Sequence, residues 1–260
     1  MGEALELVDP DVLRVCSDPN NLPFSNEKGQ GFENKLAELF AAKLNKKLAY
    51  TFFPQATGFV RMTLGSHRCD VIMGYPQGAE LVQSTNPYYE TAYALITKAD
   101  SPLDGVDALN DVRLKDKKLG IVAGTPPATY FVAYGLMAKA KSYPLMVDTR
   151  VDSSGAAMMN DLASGQIDAG VLWGPMAGYY AARASSPARV ALLLKESGGP
   201  RLAYHITMGV RASDQNWKRQ LNQLIAESQT EINKILLDYS VPILDEHGHR
   251  ITSDSLTQKP

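Results

Sequence analysis

The sequence predicts an α/β protein of two lobes, and three observations support this fold class. Its 260 residues, 45% hydrophobic and 21% charged, have an ordinary globular composition and are enough for two hydrophobic cores. Short β-rich apolar runs alternate with longer segments of helical period, which is typical of mainly parallel sheets. The pattern Leu-x-Ser-x-x-x-Asp at residues 64–70, followed by an apolar run, returns at residues 162–168. This internal repeat predicts two related βαβ lobes.

The individual elements follow from local patterns of apolar and turn-forming residues. A crossover helix is expected over residues 32–47, because Leu36 and Phe40 share one face of a helical period. Ser213 is expected to cap the longest helix, whose apolar stripe runs on until Pro242 ends it. Short apolar runs bounded by turn residues predict the strands. In chain order these are residues 12–16, 48–53, 69–75, 93–97, 119–123, 145–148, 169–173, 190–194 and 205–210.

Two turn-rich loops directly follow the first strand of each predicted lobe, at residues 17–23 and 124–127. Ligands of open α/β sheets bind at the carboxyl ends of the parallel strands. If the two lobes face each other, both loops border one shared cleft.

Cys16 and Cys69 are the only cysteines, and they can either form a disulfide or remain two buried thiols. Cys16 comes late in its predicted strand, whereas Cys69 opens the third predicted strand. If these two strands pair in parallel, this offset favours a Cα separation above the limit of about 7 Å for a bridge. The placement favours two thiols, and the pairing stays open.

Charge and hydropathy argue against several functions. Lys and Arg total 26 against 28 Asp and Glu, a net charge of −2 without a basic run, so nucleic-acid binding is not expected. No run approaches the roughly 18 apolar residues that span a bilayer, so membrane insertion is not expected either. Motifs for a nucleophilic serine, a zinc protease or a phosphate loop do not occur. We interpret His247-x-His249 as solvated side chains, and expect no catalytic residue, metal ligand or cofactor.

Several segments, in the expected order, resemble the periplasmic solute-binding proteins that carry amino acids to ABC transporters. Residues 31–33 read Gly-Phe-Glu where that family has Gly-Phe-Asp, and residues 86–89 read Asn-Pro-Tyr-Tyr for Asp-Pro-Tyr-Tyr. Residues 14–25, 120–125 and 168–175 look like its opening strand and loop, the first strand of its second lobe and its last cleft strand. The resemblance implies a type II periplasmic binding protein fold, with mainly parallel sheets and a cleft between two lobes.

The resemblance also implies where the lobes begin and end. Residues 1–95 and 200–260 are expected in lobe 1, and residues 96–199 in lobe 2. The chain is expected to hinge near residues 93–97 and 194–200.

The residues that hold a charged amino acid in that family are absent from this sequence. An Arg after the third strand clamps the ligand carboxylate there, but no Lys or Arg occurs here between Arg68 and Lys98. The Asp that receives the ligand ammonium aligns with Trp173. Unpaired ligand charges in a buried site are costly, so amino-acid transport is not expected.

A narrower resemblance rests on residues 15–26, 31–35, 68–76 and 170–175. These strings look like the MxaJ/XoxJ-type solute-binding-like proteins, which are encoded beside quinoprotein methanol dehydrogenase genes in methylotrophic bacteria. The resemblance implies a periplasmic accessory protein of a PQQ-dependent methanol dehydrogenase, acting in methanol oxidation, with its signal peptide outside this chain. The dehydrogenase is the expected partner, and no enzymatic activity or cofactor of this chain's own is expected.

Aromatic and neutral polar residues near strand ends are the expected cleft lining. They suit a small neutral or aromatic ligand, or an inserted segment of a partner protein, better than a charged metabolite. The alternative function is an ABC-transporter solute receptor with an altered, aromatic pocket. The candidate site residues are Asn20, Asn21, Phe24, Tyr75, Gln77, Thr125, Tyr130 and Trp173, and further candidates are Arg61, Tyr93 and His205.

Overall fold

The computed structural model describes residues 6–257, so residues 1–5 and 258–260 of the expected lobe 1 lie outside the described residues. The strands are β1 (Val12–Ser17), β2 (Asn20–Asn21), β3 (Ser25–Asn26), β4 (Lys47–Phe52), β5 (Val71–Pro76), β6 (Gln83–Ser84), β7 (Tyr89–Lys98), β8 (Leu119–Val122), β9 (Lys141–Tyr143), β10 (Ala169–Trp173), β11 (Ala188–Leu192) and β12 (Ala203–Val210). The α-helices are α1 (Phe32–Lys43), α2 (Phe59–Met62), α3 (Pro127–Ala133), α4 (Ser154–Ser164), α5 (Gly174–Ala182), α6 (Gln215–Glu227), α7 (Gln229–Asp238) and α8 (Ser253–Thr257). Short 3-10 helices cover Val112–Leu114 and Met137–Lys139.

Two groups of strands meet at β7. In the first lobe the strand order is β4-β1-β5-β12-β7, and in the second β7 pairs with β10 and β11, with β8 and β9 beyond β10. The strands of each βαβ unit pair in parallel, namely β1 with β4 and β5, and β8 with β9 and β10. The connecting strands β7 and β12 pair antiparallel with their neighbours. The two-lobe α/β architecture predicted from the sequence is confirmed.

Each lobe has its own buried apolar residues. In the first lobe, α1, α6 and α7 cover the sheet, and their buried side chains include Phe40, Leu221 and Leu236. In the second lobe, α3 packs on one side of the sheet through Phe131, while α4 packs through Met158. The sheet residues therefore face apolar helices on both sides, as the alternating sequence pattern predicts.

The internal repeat occupies equivalent places in the two lobes. The backbone N–H of Asp70 donates to the carbonyl of Arg14 at 2.8 Å, just before β5 begins. In the second lobe, the N–H of Asp168 donates to the carbonyl of Lys118 at 2.7 Å, just before β10 begins. Each Asp thus starts the pairing between the first and third parallel strands of its lobe, β1 with β5 and β8 with β10.

The predicted strand at residues 145–148 is wrong. The strand beside β8 is β9, which ends at Tyr143, and the residues after Pro144 form a loop. Leu145 and Met146 are exposed by 52% and 57%, so this apolar run is a surface feature and not a buried strand.

The single long helix predicted after Ser213 is also wrong, because it is two helices. Ser228, with φ −117° and ψ 9°, separates α6 from α7, and the residue before α6 is Asp214 and not Ser213. Trp217 of α6 and Ile232 of α7 still face the same core. The apolar stripe predicted the buried face of this segment but not the break between its two helices.

The pairing of the cysteines, which the sequence left open while favouring two thiols, is a disulfide: Cys16 and Cys69 are bonded, with a Cα–Cα distance of 5.4 Å. The predicted offset assumed that Cys69 lies in the strand. It lies two residues before β5 starts at Val71, in chain that is not held to the strand ladder. The two cysteines are buried in a small apolar cluster of the first lobe, together with Leu64 and Ile72.

We expect thiol titration of the denatured, unreduced protein to detect no free thiol. The bond joins residues 53 positions apart, so reduction should lower the free energy of unfolding by about 4 kcal/mol through the entropy of the unfolded chain. Denaturant unfolding with and without a reductant measures this difference. Two reactive thiols per chain before reduction would contradict the bond.

Candidate functional site

A cavity of about 1090 Å³ lies between the two lobes. Lobe 1 supplies the loop after β1, together with Gln55 and Pro76. Lobe 2 supplies the loop after β9 and the first turns of α4 and α5. The residues on which the site argument depends are Asn20, Asn21, Phe24, Gln55, Tyr93, Thr125, Thr149, Arg150, Ser153, Asn160, Trp173, Tyr179, Tyr180 and Tyr204.

Thr149 links the second lobe to the first across this cavity. Its hydroxyl donates to the carboxylate oxygens of Asp18 at 2.8 and 3.0 Å, and its carbonyl accepts from Nδ2 of Asn20 at 2.8 Å. Asp18 is 2% exposed, and the backbone N–H groups of Asn20 and Gln55 donate to it at 2.9 and 2.6 Å. These amides orient the carboxylate as an acceptor for Thr149. We call this contact the Asp18–Thr149 bridge.

Three aromatic rings that line the cavity pack against one another. The ring centroids of Tyr93 and Trp173 are 5.1 Å apart, those of Trp173 and Tyr204 5.9 Å, and those of Tyr93 and Tyr204 6.5 Å. Strand pairing brings them together, since Trp173 lies opposite Tyr93 in the β10–β7 ladder. Burial raises the pKa of Tyr93 to about 12, so its hydroxyl stays neutral. These residues form an uncharged aromatic cluster.

The cavity has no cation available to a ligand carboxylate. Arg150 is its one Lys or Arg among the described lining residues, and its Nε and Nη2 donate to the carboxylate of Asp148 at 2.8 and 2.7 Å. This two-point pairing neutralises Arg150, so a carboxylate ligand would have to compete with Asp148 for the guanidinium.

Glu33 is a buried acid beneath the loop that carries Asp18. Its backbone N–H donates to the carbonyl of Phe24 at 2.9 Å, and its side chain fills the space that a Cβ at Gly74 would occupy. Burial, with a smaller contribution from the negative charge of Asp18, raises the pKa of Glu33 to about 8. Glu33 is therefore largely protonated at neutral pH, which avoids a second negative charge beside Asp18.

The cavity brings together six of the residues predicted from the sequence. They come from both lobes and from β7, as expected for a shared cleft. They are Asn20, Asn21, Phe24, Tyr93, Thr125 and Trp173.

Tyr75 does not line the cavity, and a register shift explains its direction. β12 residues Thr207 and Gly209 pair with Tyr75 and Ile72, so three residues of β5 span two of β12. The extra residue reverses the alternation of side chains, and Tyr75 packs with Ile72 beside the disulfide.

The other four predicted residues also lie away from the cavity lining. Tyr130 is 3% exposed in the second-lobe core, where its hydroxyl donates to the carbonyl of Pro200 at 2.9 Å. Arg61 is exposed on α2, and Gln77 is exposed after β5. The half-exposed His205 lies 3.6 Å from a carboxylate oxygen of Glu90.

Sequence reasoning missed several residues of the site. Thr149 and Arg150 come just after the segment predicted as a strand. With the correct end of β9 at Tyr143, they would have been recognised as loop residues. Tyr180 follows Trp173 by seven residues, which is about two helical turns. It therefore lies on the same face of α5 as Trp173, which lines the cleft. Tyr204 had a usable signal too, because it opens the strand that returns to lobe 1.

The fold and the site define a binding protein of the extracellular solute-binding class. Residues 13–240 match the bacterial extracellular solute-binding proteins, family 3, and the chain belongs to this family. Its fold is accordingly the type II periplasmic binding fold. Within the family, the chain is of the MxaJ/XoxJ type that its sequence resembles.

Individual relatives cover nearly the whole chain. The crystal structure of periplasmic binding protein XoxJ from Methylobacterium extorquens AM1 is 40% identical, covers 90% of this chain and 100% of that chain, and has a TM-score of 0.78. Protein MoxJ of Methylorubrum extorquens is 28% identical over 94% of this chain and 86% of its own length. Protein MoxJ of Paracoccus denitrificans is 27% identical over 92% of this chain and 91% of its own length. Within residues 6–257, no helix is long and apolar enough to cross a membrane.

Thr149→Val should shift the ligand-free protein toward an open cleft. The change keeps the side-chain shape but removes the hydroxyl that donates to buried Asp18, a contact of about 1.5–3 kcal/mol. Small-angle scattering should show a larger radius of gyration. Thr125→Val is the control, because the Thr125 hydroxyl donates to Val122 within its own lobe. Equal scattering of both variants and the wild type would show that the bridge does not hold the lobes together.

Glu33→Gln should remove a pH dependence of stability. The folded chain keeps this proton up to a pKa of about 8, whereas the ordinary value is 4.5. Stability is therefore complete below about pH 4.5 and falls by about 1.4 kcal/mol per pH unit up to about pH 8. The variant should show a flatter slope and greater stability at pH 8 in denaturant unfolding.

The control for this experiment is Glu231→Gln. Glu231 is an exposed acid whose pKa is lowered by Lys43, so above about pH 5.5 it is ionised in both the folded and the unfolded chain. Its variant should keep the wild-type slope. A Glu33→Gln variant with that same slope would contradict the raised pKa.

Proposed function

We propose that this chain is a non-catalytic periplasmic accessory protein that binds a PQQ-dependent methanol dehydrogenase, or an assembly intermediate of that enzyme, in its cleft. The observation that carries the proposal is a large interlobe cavity lined by an aromatic cluster and without a free cation. Similarity to the proteins named XoxJ and MoxJ supports the choice of partner. The PQQ cofactor belongs to the enzyme, and methanol oxidation in methylotrophic bacteria is the process served.

The size of the cavity supports a polypeptide occupant. Small-molecule sites usually measure about 300–1,000 Å³, and this cavity of about 1090 Å³ lies at the top of that range, so it also has room for a polypeptide segment. Apolar side chains continue from its lining to the surface of the second lobe. Leu145 and Val151, which line the cavity, are exposed by 52% and 82%. An apolar rim of this kind suits contact with a protein surface.

The proposal includes movement of the lobes about the strands that connect them. β7 changes partner between Ala92, which pairs with β12, and Tyr93, which pairs with β10. The return passes through residues 194–200, where Tyr130 and Tyr134 of the second lobe hold Pro200 and Glu196. Bending at these two places, in the hinges expected from the sequence, would open the cleft to the partner.

The alternative function is a solute receptor for an ABC transporter with an altered, aromatic pocket. The Asp18–Thr149 bridge favours it, because contact across the cleft is what a receptor needs to enclose a small neutral ligand. A free amino acid is not such a ligand, since Asp148 already occupies the guanidinium of Arg150. A small ligand that co-purifies in the cleft would favour the receptor.

Calorimetric titration with the twenty amino acids should show no micromolar binding. A zwitterion would leave its carboxylate without a cation in the cavity, and an unpaired buried charge costs several kcal/mol. Wild-type protein is titrated with each amino acid at neutral pH. Saturable heat from any of them would show that Arg150 leaves Asp148 to bind the ligand.

Trp173→Ala should weaken binding of the dehydrogenase roughly thirtyfold. A large aromatic anchor contributes about 2 kcal/mol when an interface buries it fully. Size-exclusion chromatography and a binding titration with purified dehydrogenase, both metal-free and metal-loaded, measure the effect.

The control for the Trp173 experiment is Val112→Ala. Val112 is an apolar side chain on the same lobe, exposed by 73% and outside the cavity lining. Equal binding by Trp173→Ala and the control would place the interface away from the cleft. Failure of the wild type to bind either form of the enzyme would refute the accessory role.

A further inference from the structure

A second cavity, of about 320 Å³, adjoins the main cleft in the second lobe. The two cavities share the lining residues Ala156, Asn160 and Tyr180. They are therefore neighbouring parts of one depression in the protein surface.

Further residues of α4 also line the two cavities, but one set of lining residues on each of two helices shares a face. On α4 this set is Ala156, Asn160 and Ala163. On α5 it is Met176 and Tyr180, with Arg183 just beyond the end of the helix. In both sets the residues are three or four positions apart. Side chains at this spacing share a helix face. From Ser153 to Ala163 the axial rise is about 15 Å. This length accommodates an extended segment of four or five residues, each rising about 3.3 Å. We call this the α4–α5 groove.

A polar side chain is available in the middle of the groove. Asn160 is exposed, and its carboxamide forms no hydrogen bond with any other residue of the described chain. An amide side chain can both donate to and accept from one peptide unit. The neighbouring Tyr180 hydroxyl is already engaged, since it lies 3.0 Å from Oγ of Ser153.

Two cations, Lys98 and Arg183, line the second cavity, and neither forms an ion pair with an acid among residues 6–257. Lys98 donates to the carbonyl of Ala163 at 3.2 Å, and Arg183 donates to the carbonyl of Tyr179 at 3.3 Å. The guanidinium of Arg183 also lies 3.8 Å from the ring centroid of Tyr179. These contacts position both cations and leave further N–H donors for an anion.

We propose that the α4–α5 groove binds an extended segment of the partner polypeptide that runs out of the main cleft and places a carboxylate between Lys98 and Arg183. Asn160 binds the backbone of this segment, and apolar side chains of the segment occupy the cleft end. The partner's identity rests on the proposed function, but the chemistry of the segment follows from the groove. The carboxylate is either an Asp or Glu side chain or a chain terminus.

The test is an array of immobilised random decapeptides, each made with a free and an amidated C-terminus, probed with the purified protein. Retained peptides should have apolar residues four or five positions from an Asp or Glu, or from a free C-terminus. The amidated copies distinguish these two sources. The combined change Lys98→Gln and Arg183→Gln should weaken binding of the acidic peptides about tenfold and leave neutral ones unchanged. Asn160→Ala should weaken acidic and neutral peptides alike.

Arg113→Gln is the matched control, because Arg113 pairs with Asp111 outside the groove. It should keep the wild-type preference, and thermal unfolding checks that every variant folds. The proposal is overturned if no peptide is retained, if acidic residues are not enriched, or if the double variant keeps the enrichment. Displacement of the peptides by equimolar hexanoate would also overturn it, since the site would then hold a small acid. The array contains no dehydrogenase. It therefore tests the groove independently of the dehydrogenase titration, which tests the proposed function.

Discussion

The pairing of β7 in both sheets is the constraint on which the two-lobe arrangement depends. Its first half pairs with β12 in the first lobe, and its second half lies between β10 and β11 in the second. Tyr93, the first residue of the second half, is therefore held at the boundary of the lobes. The neighbouring strands bring Trp173 and Tyr204 to the same place. The aromatic cluster is thus a consequence of backbone pairing and does not depend on a ligand to assemble it.

Two charged side chains at the cleft, Arg150 and Asp18, have their partners within the protein. Arg150 is paired with Asp148, and Asp18 accepts from backbone amides and from Thr149. A carboxylate with several donors is stable when buried and has little need of a ligand cation. What remains available in the cavity is apolar surface, neutral hydrogen-bonding groups and the exposed carboxylate of Asp152, which accepts from the backbone N–H of Ser153. Among residues 6–257, no unpaired Lys or Arg lines this cavity to receive a ligand carboxylate, although the fold is that of the solute-binding family.

The two repeats use the same backbone contact but differ in their side chains. In the first lobe, the carboxylate of Asp70 is 1% exposed and accepts from Arg14 at 2.7 Å and from Arg211 at 2.6 Å. In the second lobe, Asp168 accepts from the backbone N–H of Lys118 at 2.8 Å. Residues after β12 return to the first lobe and bury Asp70 there, with Trp217 donating to its carbonyl at 3.0 Å. A buried carboxylate requires such partners, whereas an exposed one does not.

Local pattern in the sequence determined the fold class, most strands and the repeat, whereas the absence of a cationic clamp followed from comparison with the family that the sequence resembles. The first three depend on residue spacing along the chain, which one sequence contains. Only the tertiary structure decided that Tyr75 points to the disulfide, that Cys69 reaches Cys16, and that Thr149 meets Asp18. Each of these depends on strand register or on loops from opposite lobes. A shift of one residue in pairing reverses the direction of a side chain, and such long-range register is set by packing rather than by local sequence.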